Sequence, residues 1–364
     1  MKNFIDELRI LGSTNTQTHR LGYVIQLCQI LAQNQAPGKV LQNEIERWAK
    51  NNNHFLKDYV SDKGRLEPSQ NSYGAKRYIQ LTKNLELIID LSGNFRPTII
   101  GQLLNVLSTE YVEKQNPFVI PVNLSFILFY QMMLLDADYL LELLSLSLSF
   151  SNQNEYISHF QETIQNRLQI MEGATINPLL RAKIRDRRQT TEQWKKPEVY
   201  LEHIVLPRLN WLVDLNIFDR NSLYALKKFE LSKQGKVIFS ETPYFESHRF
   251  IDRDWCQNGL FELWAKAFYG NNIKKWDILT LMDKEAYIHD YVQHSFNLFG
   301  STGKQRVSAY QIILYVMIHL LNDYQVIATF DTLKKEFRSL ARNSKAKWNF
   351  YWSTIDNDGY LLKR

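Results

Sequence analysis

The sequence predicts a mainly helical protein carrying short β-hairpins. Three observations support this. Apolar residues recur at helical spacing in two stretches, Ala75, Tyr78, Leu81 and Leu85 in one and Val205, Leu209, Leu212 and Val213 in the other, so each stretch buries one stripe of a helix. Each is followed by two short β-prone runs around a turn, Ser92-Gly93-Asn94 in the first and Lys233-Gln234-Gly235 in the second. Between them, 116–173 is helical in pattern, and the leucines of 140–150 lie nearly all round the helix, as in a buried helical layer.

In chain order, 22–33 and 40–51 read as helices broken at Pro37-Gly38. A polar, looped stretch covers 53–72. A third helix at 73–87 leads into a strand at 87–91, the hairpin tip and a return at 95–98. The apolar run 118–135 is interrupted by Pro121, Asn123 and Gln131 and closed by Asp136 and Asp138, which suits a buried helix better than a membrane span. Another helix occupies 154–171. Between 181 and 196 seven basic residues, Arg181, Lys183, Arg185, Arg187, Arg188, Lys195 and Lys196, face only Asp186 and Glu192.

The stretch 199–239 reads as helix, turn, strand, tight turn, strand. Pro207 must start or kink its helix. Asp214-Leu215-Asn216 stops the helix, since Asn tolerates a left-handed cap. The hairpin then spans 224–231 and 237–239. Helices follow near 254–268 and 284–299. The C-terminal stretch offers helices at 307–321, 330–342 with Thr329 as N-cap, and 344–354, then a final strand at 360–363 with little room for a full hairpin.

A composition 45% hydrophobic and 13% aromatic is that of a folded chain, and 364 residues suffice for two or three domains. The balance of 44 Lys+Arg against 38 Asp+Glu gives a net charge of +6, which favours an anionic partner. Cys28 and Cys256 lie far apart with no metal-ligand spacing. This argues against a disulfide framework and for a reducing cytoplasm, and no signal peptide precedes the first helix.

An amphipathic helix followed by a two-stranded ribbon resembles the second half of a winged helix-turn-helix domain. The resemblance covers 22–98 and 199–239 fairly well and 307–363 loosely. It implies two or three winged-helix-like units with short β-hairpin wings joined by a helical middle, divided as 1–110, 111–180, 181–243 and 244–364. It also implies nucleic-acid binding, DNA rather than RNA, by a last helix laid in the major groove while flanking Lys and Arg meet phosphates. In the first unit Lys76, Gln80 and Lys83 fall on the polar face beside Arg77 and Asn84, and Gln suits adenine. In the second, Arg208, Trp211 and Asp214 lie opposite the apolar stripe, so this helix fits a protein contact with Trp211 as anchor. Its wing, with Lys227, Lys228, Lys233 and Lys236, carries the charge. The run Arg181, Lys183, Arg185, Arg187, Arg188 would add salt-dependent phosphate contacts or be a solvated linker. In the third unit Trp348, Trp352 and Ile355 form a core stripe beside Lys345 and Lys347, with base stacking as the alternative.

Catalytic signals are few. Gly300-Ser301-Thr302-Gly303-Lys304 has Leu298 where a phosphate loop needs its first glycine and Gln305 where it needs Ser or Thr. His289 and His294 are five apart, which misaligns two ligands on a helix, and Glu285 with His289 fits a hydrogen-bonded pair. Asp252 and Asp254, with Glu241 and Glu246, could serve a nuclease metal only in a constellation the sequence does not display. No catalytic residue, metal or cofactor is assigned. The sequence therefore points to a non-catalytic DNA-binding subunit of a larger prokaryotic assembly, of defence or mobile-element type. A protein scaffold is the first alternative and a metal-dependent nuclease the second; protein partners are expected and a membrane is not.

Overall fold

The structure, a computed structural model, describes residues 5–12, 14–32, 35–56, 64–111, 116–194, 196–247, 250–300, 305–342, 346–354 and 357–364. Its N-terminal part runs helix, strand, helix, helix, strand, strand: α1 (Leu21–Ile30), β1 (Ala36–Pro37), α2 (Gly38–Asn52), α3 (Tyr73–Asn84), β2 (Ile88–Leu91) and β3 (Asn94–Pro97). The three strands form an antiparallel sheet in the order β1-β3-β2, with Ile88 opposite Pro97 and Leu91 opposite Asn94. Ser92 and Gly93 at the tip both have positive φ, the backbone a two-residue hairpin needs. The chain then enters α4 (Ile99–Tyr111).

The middle is the helical layer that its leucines require. In α5 (Val122–Leu135) every residue from Asn123 to Leu134 is buried, and α6 (Ala137–Leu146) turns away from it by 107° at Asp136. Among the described residues no single helix is long and apolar enough to cross a membrane. Next come α7 (Gln153–Ala174), opened by an Asn152/Glu155 capping box, and α8 (Pro178–Glu192), capped by Asn177. The long α9 (Pro197–Asp214) follows, with Pro207 in its interior rather than at its start. The segment 181–192 is thus part of a packed helix and not a linker; Lys195 lies outside the described residues.

The hairpin expected at 224–239 is replaced by two helices, α10 (Arg220–Leu226) and α11 (Lys233–Glu241), with one antiparallel bridge between Phe218 and Leu231. The cause is capping. Asp219 accepts from Asn221 N and Ser232 from Gly235 N, so the Lys-Gln-Gly expected as a turn is the first turn of a helix.

The same joint occurs twice. Glu86 and Asn216, each just past a long helix, have φ of 54 and 58°. Thr98 Oγ1 donates to Glu86 O at 2.7 Å and caps Gly101 N at 3.1 Å. Ser232 Oγ donates to Asn216 O at 2.6 Å and caps Gly235 N at 2.9 Å. A Cβ on Gly101 would lie 2.0 Å from Leu87 O, and one on Gly235 2.0 Å from Ile217 O. Both glycines therefore let the following helix close on the preceding carbonyl. Gly101→Ala and Gly235→Ala are each expected to cost about 1–3 kcal/mol in urea unfolding. Gly173→Ala, with nothing within 4 Å, should be neutral or stabilise by up to about 1 kcal/mol.

Short helices α12 (Pro243–Ser247), α13 (Arg253–Gln257) and α14 (Gly259–Tyr269) lead to β4 (Lys274–Lys275) and then to α15 (Leu281–Phe299). The order of the N-terminal part now returns: α15, β5 (Arg306–Ser308), α16 (Ala309–Tyr324), α17 (Phe330–Leu340), β7 (Trp348–Ser353) and β8 (Asp358–Lys363), with sheet order β5-β8-β7. A short β6 (Val326–Ile327) pairs in parallel with β4. The expected helix at 344–354 is instead strand β7, whose Trp348-Asn349-Phe350-Tyr351-Trp352 run is rich in the aromatic residues that favour strands. Its six-residue ladder with β8 makes a full hairpin where little room was expected. Helices α4 and α16 join the two ends of the chain: Gln311 Nε2 donates to Ile99 O at 2.8 Å, and His319 Nε2 meets Glu110 Oε2 at 3.1 Å.

Candidate nucleic-acid interface

Helix α3 buries Ala75, Tyr78, Ile79, Leu81 and Thr82, so its sequence periodicity leaves the opposite face to solvent. Lys76 and Lys83 are exposed there, Arg77 and Gln80 half-buried. Arg77 lies 4.7 Å above the Tyr73 ring and donates to its hydroxyl, which fixes the guanidinium along the helix. Gln80 Nε2 donates to Asn84 Oδ1 at 2.6 Å, and Asn84 in turn donates to Gly12 O. Lys83 reaches Asp90 on the hairpin at 3.4 Å. The Gly93 N–H bonded to Asp90, with Lys83 beside it, holds that carboxyl below its usual range. The Lys76 side chain makes no hydrogen bond or ion pair among the described residues.

Helix α17 is a second helix that precedes a hairpin, one the sequence reading does not single out. It buries Phe330, Leu333, Phe337 and Leu340. Lys335, Arg338, Ser339 and, in the turn just after it, Arg342 are exposed. The spacing of Lys335, Ser339 and Arg342 repeats that of Lys76, Gln80 and Lys83, and this repeat is the signal in the sequence that could have found them. Lys334, by contrast, pairs with Asp331 at 2.6 Å and lies over the Trp352 ring.

The basic residues of α8 are mostly engaged within the fold. Arg181 donates to Thr175 O at the end of α7, and Arg187 to the Tyr139 hydroxyl. Arg185 and Arg188 share Glu172, at 2.6 and 3.2 Å, and Arg188 also meets Glu192. The Arg185 hydrogen bond is the main cause of a Glu172 carboxyl held below its usual range. Lys183 remains exposed without a partner among the described residues. Lys227, Lys228, Lys233 and Lys236 are exposed too, but on the turn after α10 and on α11 rather than on a ribbon.

The polar face expected on α9 does not exist. Arg208, Trp211 and Asp214 are all buried. Trp211 Nε1 donates to Thr18 O at 2.6 Å, so it anchors the N-terminal segment of its own chain, not a partner. Trp348 is core, as expected, while Trp352 is half-buried. Ile355, Lys345 and Ser301 to Lys304 lie outside the described residues.

Two of the acids considered for a metal, Asp252 and Glu241, have other partners. Asp252 is buried and caps α13 through Trp255 N at 2.7 Å, and Glu241 holds Lys266 at 2.5 Å. The Glu246 side chain lies outside the described residues. Among the described residues no three His, Cys, Asp or Glu gather as a metal site. His294 sits 4.0 Å from Glu110, and His289 lies against the Trp348 ring rather than bonding to Glu285. Burial pushes the Cys28 thiol up to about 12 and the Cys256 thiol up to about 11, the form least able to act as nucleophile or ligand. Comparison of the chain with known proteins found no matching family model, no matching curated protein and no matching solved structure.

Proposed function

We propose that the chain is a non-catalytic nucleic-acid-binding protein that holds duplex DNA through α3 and α17. One observation carries the proposal. The order helix, strand, helix, helix, strand, strand, with the first strand pairing to the third, occurs at both ends of the chain, as in winged helix-turn-helix units. In both units the helix preceding the hairpin turns a polar, cationic face outward at the same spacing. Such a face supplies phosphate contacts from Lys and Arg and base-edge contacts from Gln80. Arg185 and Arg188 of α8 contribute less, because their charges are already paired with Glu172 and Glu192.

The test is fluorescence anisotropy with a labelled duplex across a salt series. Replacing Lys76, Lys335 and Arg338 together by Ala should weaken binding at least tenfold and lower the salt slope by about 0.9 for each phosphate no longer neutralised. Arg185→Ala with Arg188→Ala should change it far less. Equal affinity and slope in the triple variant would refute the proposal, and tighter binding of duplex RNA would move the substrate class.

A protein-scaffold role has separate support. At the turn between α7 and α8, Ile176 and Leu179 are 74% and 77% exposed beside exposed Pro178, an apolar tip of the kind that protein contacts use.

A further inference from the structure

Strand periodicity gives the C-terminal sheet two faces. Val307, Leu361, Phe350, Trp348 and Trp352 turn toward α17 and α16, where Phe337 meets Trp348 and Phe330 meets Trp352. The other face carries Arg306, Tyr360 and Tyr351 from three neighbouring strands. Tyr351 and Tyr360 are directly opposed and stack at 4.6 Å with planes 22° apart. The Arg306 guanidinium lies 3.8 Å from the Tyr360 ring centre. The result is a column, Arg306–Tyr360–Tyr351, that crosses the sheet and ends on a ring 45% exposed. Among the described residues no other ring or cation lies against Tyr351.

The charge around this column is one-sided. Arg306 and Arg364 are exposed, but the Arg364 guanidinium is engaged within the fold, donating to Asn349 Oδ1 at 2.8 Å, Ala346 O at 3.1 Å and Ala341 O at 2.9 Å, which leaves Arg306 as the cation of the column. The one carboxylate on the three strands, Asp358, is occupied by Ser308 Oγ, Tyr310 N and Gly359 N. An open aromatic ring at one end of a stack, with the Arg306 guanidinium at the other, suits a ligand made of planar bases joined by phosphates. We propose that this face is a stacking platform for single-stranded nucleic acid, one unpaired base extending the column on Tyr351 and a flanking phosphate meeting Arg306. Trp348 and Trp352, for which the sequence leaves base stacking as the alternative to a core stripe, face inward and are not part of this column. This site is separate from the duplex-binding helices and does not depend on them.

The test uses the full chain with a labelled oligothymidine of about 12 nucleotides, within the usual site sizes for single strands, and, in parallel, a duplex. Tyr351→Ala should weaken single-strand binding by about tenfold, the scale of one stacked base, and leave duplex binding unchanged. Tyr351→Leu, which keeps apolar bulk, should weaken it as much, while Tyr351→Trp should preserve it. Arg306→Gln should weaken it and flatten its salt dependence. Thermal unfolding of each variant checks that the fold is retained. The proposal is overturned if Tyr351→Ala and Tyr351→Leu bind the single strand like the parent, if the parent has no affinity for it at low salt, or if Tyr351→Ala instead abolishes self-association, which would give the face to a second copy. Loss of duplex binding in the Lys76, Lys335, Arg338 variant with single-strand binding intact would keep the two sites distinct.

Discussion

Asp136→Ala is expected to destabilise the protein by about 3–5 kcal/mol, the usual cost of stranding one partner of a buried ion pair. Arg208 Nε and one terminal nitrogen meet Asp136 at 2.6 and 2.9 Å, and both side chains are fully buried. Burial pushes the Asp136 carboxyl above its usual range, against the pull of Arg208 and the Leu11 N–H. The pair also clamps the N-terminal segment. Asp136 Oδ1 accepts from Leu11 N at 2.8 Å, and Arg208 donates to Leu11 O at 2.9 Å and Thr14 Oγ1 at 3.1 Å. Removing the carboxylate therefore strands a charge and an amide together. Urea unfolding of Asp136→Ala beside Asp136→Leu/Arg208→Met is the measurement. The double variant should recover much of the loss, since apolar replacement of a whole buried pair is often neutral. A single-variant loss below about 1 kcal/mol would show that another group or water takes over the charge.

This clamp explains why residues 5–20 are illegible in the sequence. Among the described residues of this stretch there is no helix or strand, so no periodicity marks it, yet Arg9, Thr18, His19 and Arg20 are buried. Their backbone groups are satisfied at a distance: Arg9 N by Asp138 Oδ2, Leu21 N by Asp214 Oδ2, and Thr18 O by Trp211. Arg208, Trp211 and Asp214 look like a polar helix face because periodicity cannot distinguish water from an irregular segment of the same chain. Helices with a clean stripe, such as α3, are legible to within a few residues. So is the β2–β3 hairpin, whose tip residues demand positive φ. The joint at 231–241 misleads because a glycine needed for close approach looks like a turn glycine. The β7–β8 hairpin is hidden because aromatic spacing at 348–352 fits a helix stripe and a strand face equally well. On the candidate interface, Lys76 and Lys83 can be found from the wheel. The pairing of Arg185 and Arg188 with Glu172 cannot, since the acid sits on the preceding helix.

Replacing Glu142 by Gln should remove much of the pH dependence of stability between about pH 4.5 and 8. The carboxyl is buried among helices, which pushes its pKa up to about 7; the Tyr244 hydroxyl that donates to it and Arg167, 3.9 Å away, oppose the shift without cancelling it. Arg167 is shared, lying 3.6 Å from Asp138 and over the rings of Tyr244 and Phe250. The sign follows from linkage. The folded pKa lies above the ordinary value of 4.5, so the folded state binds this proton more tightly than the unfolded chain. The resulting stability is complete below about 4.5 and is lost as pH rises through about 7. At about 1.36 kcal/mol for each pH unit, the loss is of the order of 3 kcal/mol. Gln keeps the oxygen that accepts from Tyr244 and mimics the protonated acid. At about pH 5 the parent and Glu142→Gln should therefore unfold at similar urea concentrations, and at about pH 8 the variant should be more stable by up to about 3 kcal/mol. Parallel curves across that range would place the Glu142 charge in a solvated or better-paired site, and a variant less stable at the alkaline end would show the Arg167 pairing to outweigh burial.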